Sequence, residues 1–136
     1  MDEDTRFLIL SLDGDSYALP ISRLQEITVP RDIHKDDGLS TLFEGAVEYR
    51  GRPIPVLNPK KVLNLAGKPG GVLLVVKGAK GPLGVLADEV REIIESNQKP
   101  APVPAGVMDR GIRVFRGLIR HKGELILLLN EDGLVQ

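Results

Sequence analysis

The stretch from Phe43 to Leu63, FEGAVEYRGRPIPVLNPKKVL, returns 72 residues later as FRGLIRHKGELILLLNEDGLV, Phe115 to Val135, with no gap. Phe43 falls on Phe115, Gly45 on Gly117, Val47 on Ile119, Gly51 on Gly123 and Ile54 on Ile126. Val56 and Leu57 fall on Leu128 and Leu129, and Asn58 on Asn130. The basic residue before the second glycine recurs as Arg50 and Lys122. The first half carries a second echo: Phe7 to Ile27 aligns with Leu73 to Ile93 at an offset of 66. Glu26 then falls on Glu92 and Ile27 on Ile93. The step from 66 to 72 means six extra residues in the second copy, within the Pro-rich loop KPAPVPAGV. Two copies describe a duplicated domain, because a solenoid needs at least three repeats. The chain of 136 residues is therefore expected to be one domain, residues 1–136, with repeats at about 7–65 and 72–136. Each repeat is expected to supply most of one small barrel.

The elements within a repeat follow from local pattern. Phe7–Leu12 is a short apolar run, Asp13-Gly14-Asp15 a turn, and Tyr17, Leu19 and Ile21 alternate. That is a β-hairpin, with Pro20 at an edge or an element end. A tight turn and a further strand follow through Leu24, Ile27 and Val29. Asp32–Ser40 is polar and aperiodic, hence a loop. Gly45–Tyr49 and Ile54–Leu57 flank Arg50-Gly51-Arg52, a hairpin turn with glycine available for positive φ. Pro53 and Pro55 lack donors on one side of their strand, which predicts an edge. Lys60–Leu65 reads as a short helical turn, and Lys68–Gly71 as the junction between halves. Leu86–Ile94 also satisfies helical spacing, but its partner segment holds Pro20, so strand–turn–strand is preferred for both. Fifteen Gly and ten Pro fit many short elements. The fold class is mainly β: two five-stranded barrels, one per repeat, with Phe43, Val47, Ile54, Val56 and their echoes as core.

Several function classes lose their support in the sequence. There is no cysteine, so disulfides and thiolate metal sites are excluded, as fits the cytosol. No apolar run is long enough to span a bilayer, and no leader pattern opens the chain. His34 and His121 have no neighbouring histidine to form a metal pair, and each reads as a solvated side chain. Asp36-Asp37-Gly38 lacks the rest of a calcium loop. Gly78-Ala79-Lys80-Gly81 lacks the Walker pattern and reads as a hairpin tip. No serine sits in a nucleophile elbow. The expectation is no enzyme, no metal and no cofactor.

Nucleic-acid binding is the rival class, since small barrels often serve it. Arg50, Arg52, Lys60 and Lys61 form one basic cluster, and Arg110, Arg113, Arg116, Arg120 and Lys122 another. A net charge of −1 and only three Phe and two Tyr argue for solvated faces rather than a base-stacking platform.

Four segments together resemble the CheW-like domain, the coupling module of bacterial chemotaxis. They are FLILSLDGDSYALPISRLQEI (7–27), GAVEYRGRPIPVLNPKKVLNL (45–65), VLLVVKGAKGPLGVLADEVREII (72–94) and FRGLIRHKGELILLLNEDGLV (115–135). The Arg-Gly hairpin before a Pro-Val-Leu strand and the Gly-Val-Leu-x-Asp-Glu-Val piece carry the likeness. The resemblance implies two five-stranded SH3-like barrels without enzymatic activity. It implies an adaptor that joins chemoreceptor cytoplasmic tips to the regulatory domain of a histidine kinase. Such a protein would be cytoplasmic, recruited to membrane-associated receptor arrays without inserting in the bilayer.

The resemblance also nominates residues. Leu24 and Glu26 match the family's Val-x-Glu-Ile segment, associated with kinase contact. Arg50, in Tyr49-Arg50-Gly51, matches the arginine of its Asn-Leu-Arg-Gly motif, which nominates these three residues for receptor or kinase binding. Glu92 repeats Glu26, so that glutamate has a nearly equal claim to a structural role. Glu48-Tyr49 replaces the family's Asn-Leu, Asn58-Pro59-Lys60 replaces Asp-Leu-Arg, and the Asp32–Glu44 loop lacks the usual prolines. A scaffold of another chemosensory pathway is therefore the alternative within the family.

Overall fold

The structure, a computed structural model, describes residues 6–39, 42–65, 67–78, 80–96, 101–102 and 115–129. The strands are β1 (Arg6–Leu12), β2 (Asp15–Pro20), β3 (Leu24–Thr28), β4 (Phe43–Tyr49), β5 (Arg52–Leu57), β6 (Val72–Gly78), β7 (Gly81–Ala87), β8 (Glu89–Glu95), β9 (Phe115–His121) and β10 (Glu124–Leu129). A 3₁₀ turn (Ile21–Arg23) joins β2 to β3, and one helical turn, α1 (Pro59–Val62), follows β5. These match the segments read from the sequence, including strand–turn–strand at 81–95 and a helical turn after Asn58. Asn58 caps α1 by accepting from the Lys60 amide at 3.1 Å, and Pro59 stands at the helix start where no donor is needed.

The strands form two five-stranded sheets, ordered β8-β1-β2-β10-β9 and β3-β6-β7-β5-β4. The first is called sheet A and the second sheet B. One barrel per repeat is too simple a division. Each half gives three strands to one sheet and sends its first hairpin to the other: β1–β2 joins β8, β9 and β10, while β6–β7 joins β3, β4 and β5. Pro20 ends β2, and the 3₁₀ turn carries the chain into the opposite sheet. The duplication is nonetheless kept in register. Phe43 faces Leu57 and Gly45 faces Val56, with a bulge between; Phe115 faces Leu129 and Gly117 faces Leu128, with the same bulge. Glu26 faces Val75 as Glu92 faces Ile9. His34 bridges to Ala46, and Ala101 bridges to the twin residue Leu118.

Pro53 and Pro55 do not mark an edge strand, because β5 lies between β7 and β4. The Ala46 amide and carbonyl both bond His34, at 2.8 Å each, so Ala46 and its partner Pro55 turn their main chains away from each other. On the far side, the parallel ladder with β7 begins only at Val56. The missing proline donors therefore disturb neither ladder. The sequence rule correctly detected a free side, but only half the strand has one.

Burial follows from this layering. In β1, Phe7 and Ile9 enter a core inside sheet A, while Leu8, Leu10 and Leu12 enter a core shared by both sheets. In β6, Leu73 and Val75 enter the core of sheet B, while Leu74 and Val76 face the shared core. Two-sided burial explains the unbroken apolar runs of these strands. Val47, Ile54, Val56, Ile119, Ile126 and Leu128 are buried as expected, whereas Phe43 is only partly buried against the shared core. The Phe115 side chain lies outside the described residues, as do Arg110 and Arg113. The two-subdomain, mainly β arrangement is that of the SH3-like fold expected from the resemblance.

Because both sheets share a core and exchange hairpins, unfolding should be one cooperative transition. Leu57→Ala, at a fully buried shared position, should lower stability by about 3–4 kcal/mol in urea melts followed by circular dichroism. Two resolved transitions would contradict this coupling.

Candidate functional site

Three hairpins close with the same two-residue turn. Asp13 and Gly14 have φ of 54° and 88°, Arg50 and Gly51 have 52° and 81°, and Lys122 and Gly123 have 52° and 81°. Positive φ at both central residues defines the type I′ turn that matches strand twist. A Cβ at Gly51 would meet nothing within 4 Å, so this glycine supplies backbone freedom rather than space. The first central position favours Asn, Asp or Gly. Asp13 fits that preference; Arg50 does not. An L-residue with a long side chain in this region costs roughly 1–2 kcal/mol. The exposed Arg50 guanidinium lies 5.1 Å from the centroid of the Tyr49 ring, returning about 0.5–1 kcal/mol. Tyr49 itself packs against the core of sheet B, and its buried hydroxyl has no hydrogen-bond partner among the described residues.

A groove of about 440 Å³ opens beside this turn, between His34–Asp37 of the loop and Glu48, Gly51 and Pro53. The His34–Ala46 bridge lays the loop along β4. Gly45, at φ 142°, permits the approach: a Cβ there would lie 2.1 Å from the His34 carbonyl oxygen. Asp36 shapes the loop by accepting from the Gly38 amide at 2.9 Å. Asp36, Asp37 and Glu48 give the groove an acidic lining, with Lys35 set among them.

Leu24 and Glu26 lie on β3, an outer strand of the same sheet. Leu24 packs partly into the shared core, and Glu26 is exposed. A bulge separates them in the ladder with β6. Ile27 stays 46% exposed and Val29 60%, although both are apolar. The twin strand β8 exposes Ile93 to 58%. In sheet A, His121 of β9 approaches Glu92 of β8, Nε2 to Oε2 at 3.8 Å. The His121 Nε2 is buried and, among the described residues, has no hydrogen-bond partner; with its side chain 24% exposed, the ring is half-buried rather than the fully solvated histidine expected. By repeat position, Glu26 corresponds to Glu92 and Tyr49 to His121. The nominated residues thus belong to the two outer strands of sheet B, β3 and β4, and to the turn after β4.

One charged residue escaped the sequence reading. Sequence alone places Lys60 in a solvated basic cluster, but it is 4% exposed. Its Nζ donates to Asp88 Oδ1 at 2.8 Å and the Lys68 carbonyl at 2.8 Å, and pairs with Asp13 Oδ1 at 3.2 Å. Asp88 Oδ2 accepts from the Asp13 amide at 2.8 Å. Burial pushes the Lys60 ammonium down, but Asp88 and Asp13 outweigh it and hold the group above its ordinary value. Burial likewise pushes Asp88 up, but Lys60 and the Asp13 amide hold it below the usual carboxylate range. Glu44 is lowered in the same manner: burial opposes the charge, while Asn58 and Lys61 favour it. The nearest signal in the sequence was the substitution at Asn58-Pro59-Lys60. Among the described residues no group of three or more His, Cys, Asp or Glu gathers to hold a metal ion.

A family model described as the CheW-like domain matches residues 6–136. The chain belongs to the CheW-like domain family. Its relatives include the chemotaxis protein CheW of Thermotoga maritima, 25% identical over 129 residues, covering 93% of this chain and 80% of that protein. The solved structure of the scaffolding protein TtCheW from Thermoanaerobacter tengcongensis superposes with a TM-score of 0.86 at 21% identity. That match covers 97% of this chain and 92% of the other, and speaks for the fold.

The ion cluster sets a pH window. Asp88 and Glu44, lowered in the folded state, contribute stability above the unfolded carboxylate pKa of about 4, lost as pH falls through their folded values. Lys60, raised in the folded state, contributes below about 10.4, lost as pH rises through its folded value. Urea stability should therefore be flat between these limits and fall on both sides. Asp88→Asn should remove roughly 2–3 kcal/mol at pH 7 and make the acid limb shallower. An unchanged acid limb in this variant would exclude Asp88 as its source.

Proposed function

We propose that this CheW-like chain is a non-enzymatic adaptor of chemotaxis-type signalling, coupling chemoreceptor cytoplasmic tips to a histidine kinase through the kinase regulatory domain. Family membership over nearly the whole chain supports the class, as do the chemotaxis and scaffolding names of its relatives. The observation that carries the reading to a site is Arg50. Lys122 shares its positive φ, so the turn conformation belongs to the fold; what Arg50 adds is a guanidinium over the Tyr49 ring, presented to solvent. A planar fork of donors suits capture of a partner carboxylate. The exposed Glu26 and Ile27 of β3, with Val29 just beyond it, supply the second part of the surface, for kinase contact. The protein would work in the cytoplasm at receptor arrays; among the described residues no helix is long and apolar enough to cross a membrane.

A scaffold of another chemosensory pathway is favoured by one feature: the acidic groove formed by His34–Asp37 and Glu48 stands beside Arg50. It alters the setting of the motif without altering the fold. The nucleic-acid reading loses ground because Lys60 is committed to an interior ion cluster, away from any phosphate.

Arg50→Asn should raise stability by about 0.5–1 kcal/mol while weakening binding to the kinase regulatory domain or a receptor cytoplasmic fragment at least about tenfold. Lys122→Asn should give the same stability gain and leave binding intact. Glu26→Ala should weaken kinase binding more than Glu92→Ala does. Calorimetric isotherms for Arg50→Asn that overlay wild type with both partners would remove Arg50 from the site.

A further inference from the structure

Among the described residues the two halves share strands, the bulge after Phe43 and Phe115, the turns at Arg50 and Lys122, and the bridges at Ala46 and Leu118. The residues of the Lys60 cluster are not repeated in the sequence: Lys60, Asp13 and Asp88 correspond in the other half to Asp132, Ala79 and Ser22. The duplicated fold therefore does not require it. Its members come from separate places. Asp13 lies in the β1–β2 turn of sheet A, and Asp88 in the link where the chain passes from β7 of sheet B to β8 of sheet A. Lys60 lies in α1, behind β5 of sheet B, and the Lys68 carbonyl belongs to the junction between the halves.

A second set of contacts leads from α1 to the Arg50 hairpin. Asn58 accepts from the Lys60 amide and donates through Nδ2 to Glu44 Oε2 at 3.0 Å. Lys61 Nζ meets the same Glu44 oxygen at 3.0 Å. Glu44 is on β4, the strand that ends at Tyr49 and leads into the Arg50-Gly51 turn. Directed polar contacts thus run from Asp13 and Asp88 through Lys60 and Asn58 to β4. An apolar core between two sheets constrains distance more strongly than angle. Three acceptors around one buried nitrogen fix angle as well, which is where buried ion clusters differ from hydrophobic replacements.

We propose that Lys60 is a positioning residue. Its ammonium holds sheet A and the Arg50 hairpin of sheet B in one relative orientation, so that a partner touching both is held tightly only while the cluster is intact. The partner in this statement rests on the adaptor reading; the geometry does not.

The test uses the whole chain carrying Lys60→Met, with Asp88→Asn as a second variant should the first fail to fold. Residual dipolar couplings measure the angle between the sheets without any partner. Titrations with a receptor cytoplasmic fragment and with the kinase regulatory domain, at a temperature where circular dichroism shows each variant folded, give the affinities. The expected result is a changed angle, with the two affinities falling unequally. The partner that spans both sheets should lose at least about tenfold, and the partner on one sheet should stay within about twofold. An unchanged angle overturns the proposal, as does an equal loss for both partners. Should wild type bind neither fragment, the adaptor reading fails, and the angle alone decides the role of Lys60.

Discussion

Neither sheet of this molecule can be completed by one half of the chain. Each half builds three strands and then depends on a hairpin from the other, so the two sheets form together or not at all. The exchange also buries β1 and β6 on both faces, because each lies between its own sheet's core and the core shared with the other. The outer strands β3 and β8 are left with one ladder each. They carry the exposed Ile27 and Ile93. Strand exchange therefore decides which parts of a symmetric fold remain available to partners.

Much of this was legible in the amino-acid sequence, for a definite reason. A repeat preserves the contacts of each residue, so the offsets 72 and 66 predicted equivalent positions that the ladders then reproduced, down to the bulge beside Phe43 and Phe115. What an offset cannot encode is which copy supplies a contact. A hairpin that fits its own half fits the other half equally well, and domain swapping exploits that equivalence. Single charged residues were harder. Lys60 looks like Lys61 in sequence, yet one is buried and the other exposed, because the acceptors Asp13 and Asp88 come from distant parts of the chain. His121 was misjudged for a similar reason: its neighbour Glu92 arrives on a separate strand. The nominated site was legible only through family resemblance; its strained turn and adjoining groove needed coordinates.

The duplication acts as an internal control for function. Glu26 and Glu92 occupy matching ladder positions, as do Arg50 and Lys122 in matching turns. A shared feature is sufficiently explained by the fold. Function is more economically sought where the copies differ: a guanidinium against an ammonium, an acidic loop beside the Arg50 turn, and an ion cluster whose residues are not repeated in the sequence. All three differences meet on or behind the β4–β5 hairpin. That concentration gives the surface its direction, with sheet A fixed on one side and Arg50 presented on the other.

Whether this chain joins two partners, as proposed, can be read from co-sedimentation of three components. A receptor cytoplasmic fragment on vesicles, the soluble kinase and this protein would be mixed and centrifuged. Kinase should enter the receptor pellet only when this protein is present, in an amount that saturates as the adaptor is added. Kinase that stays in the supernatant at every adaptor concentration, with both partners shown to be folded, would contradict it.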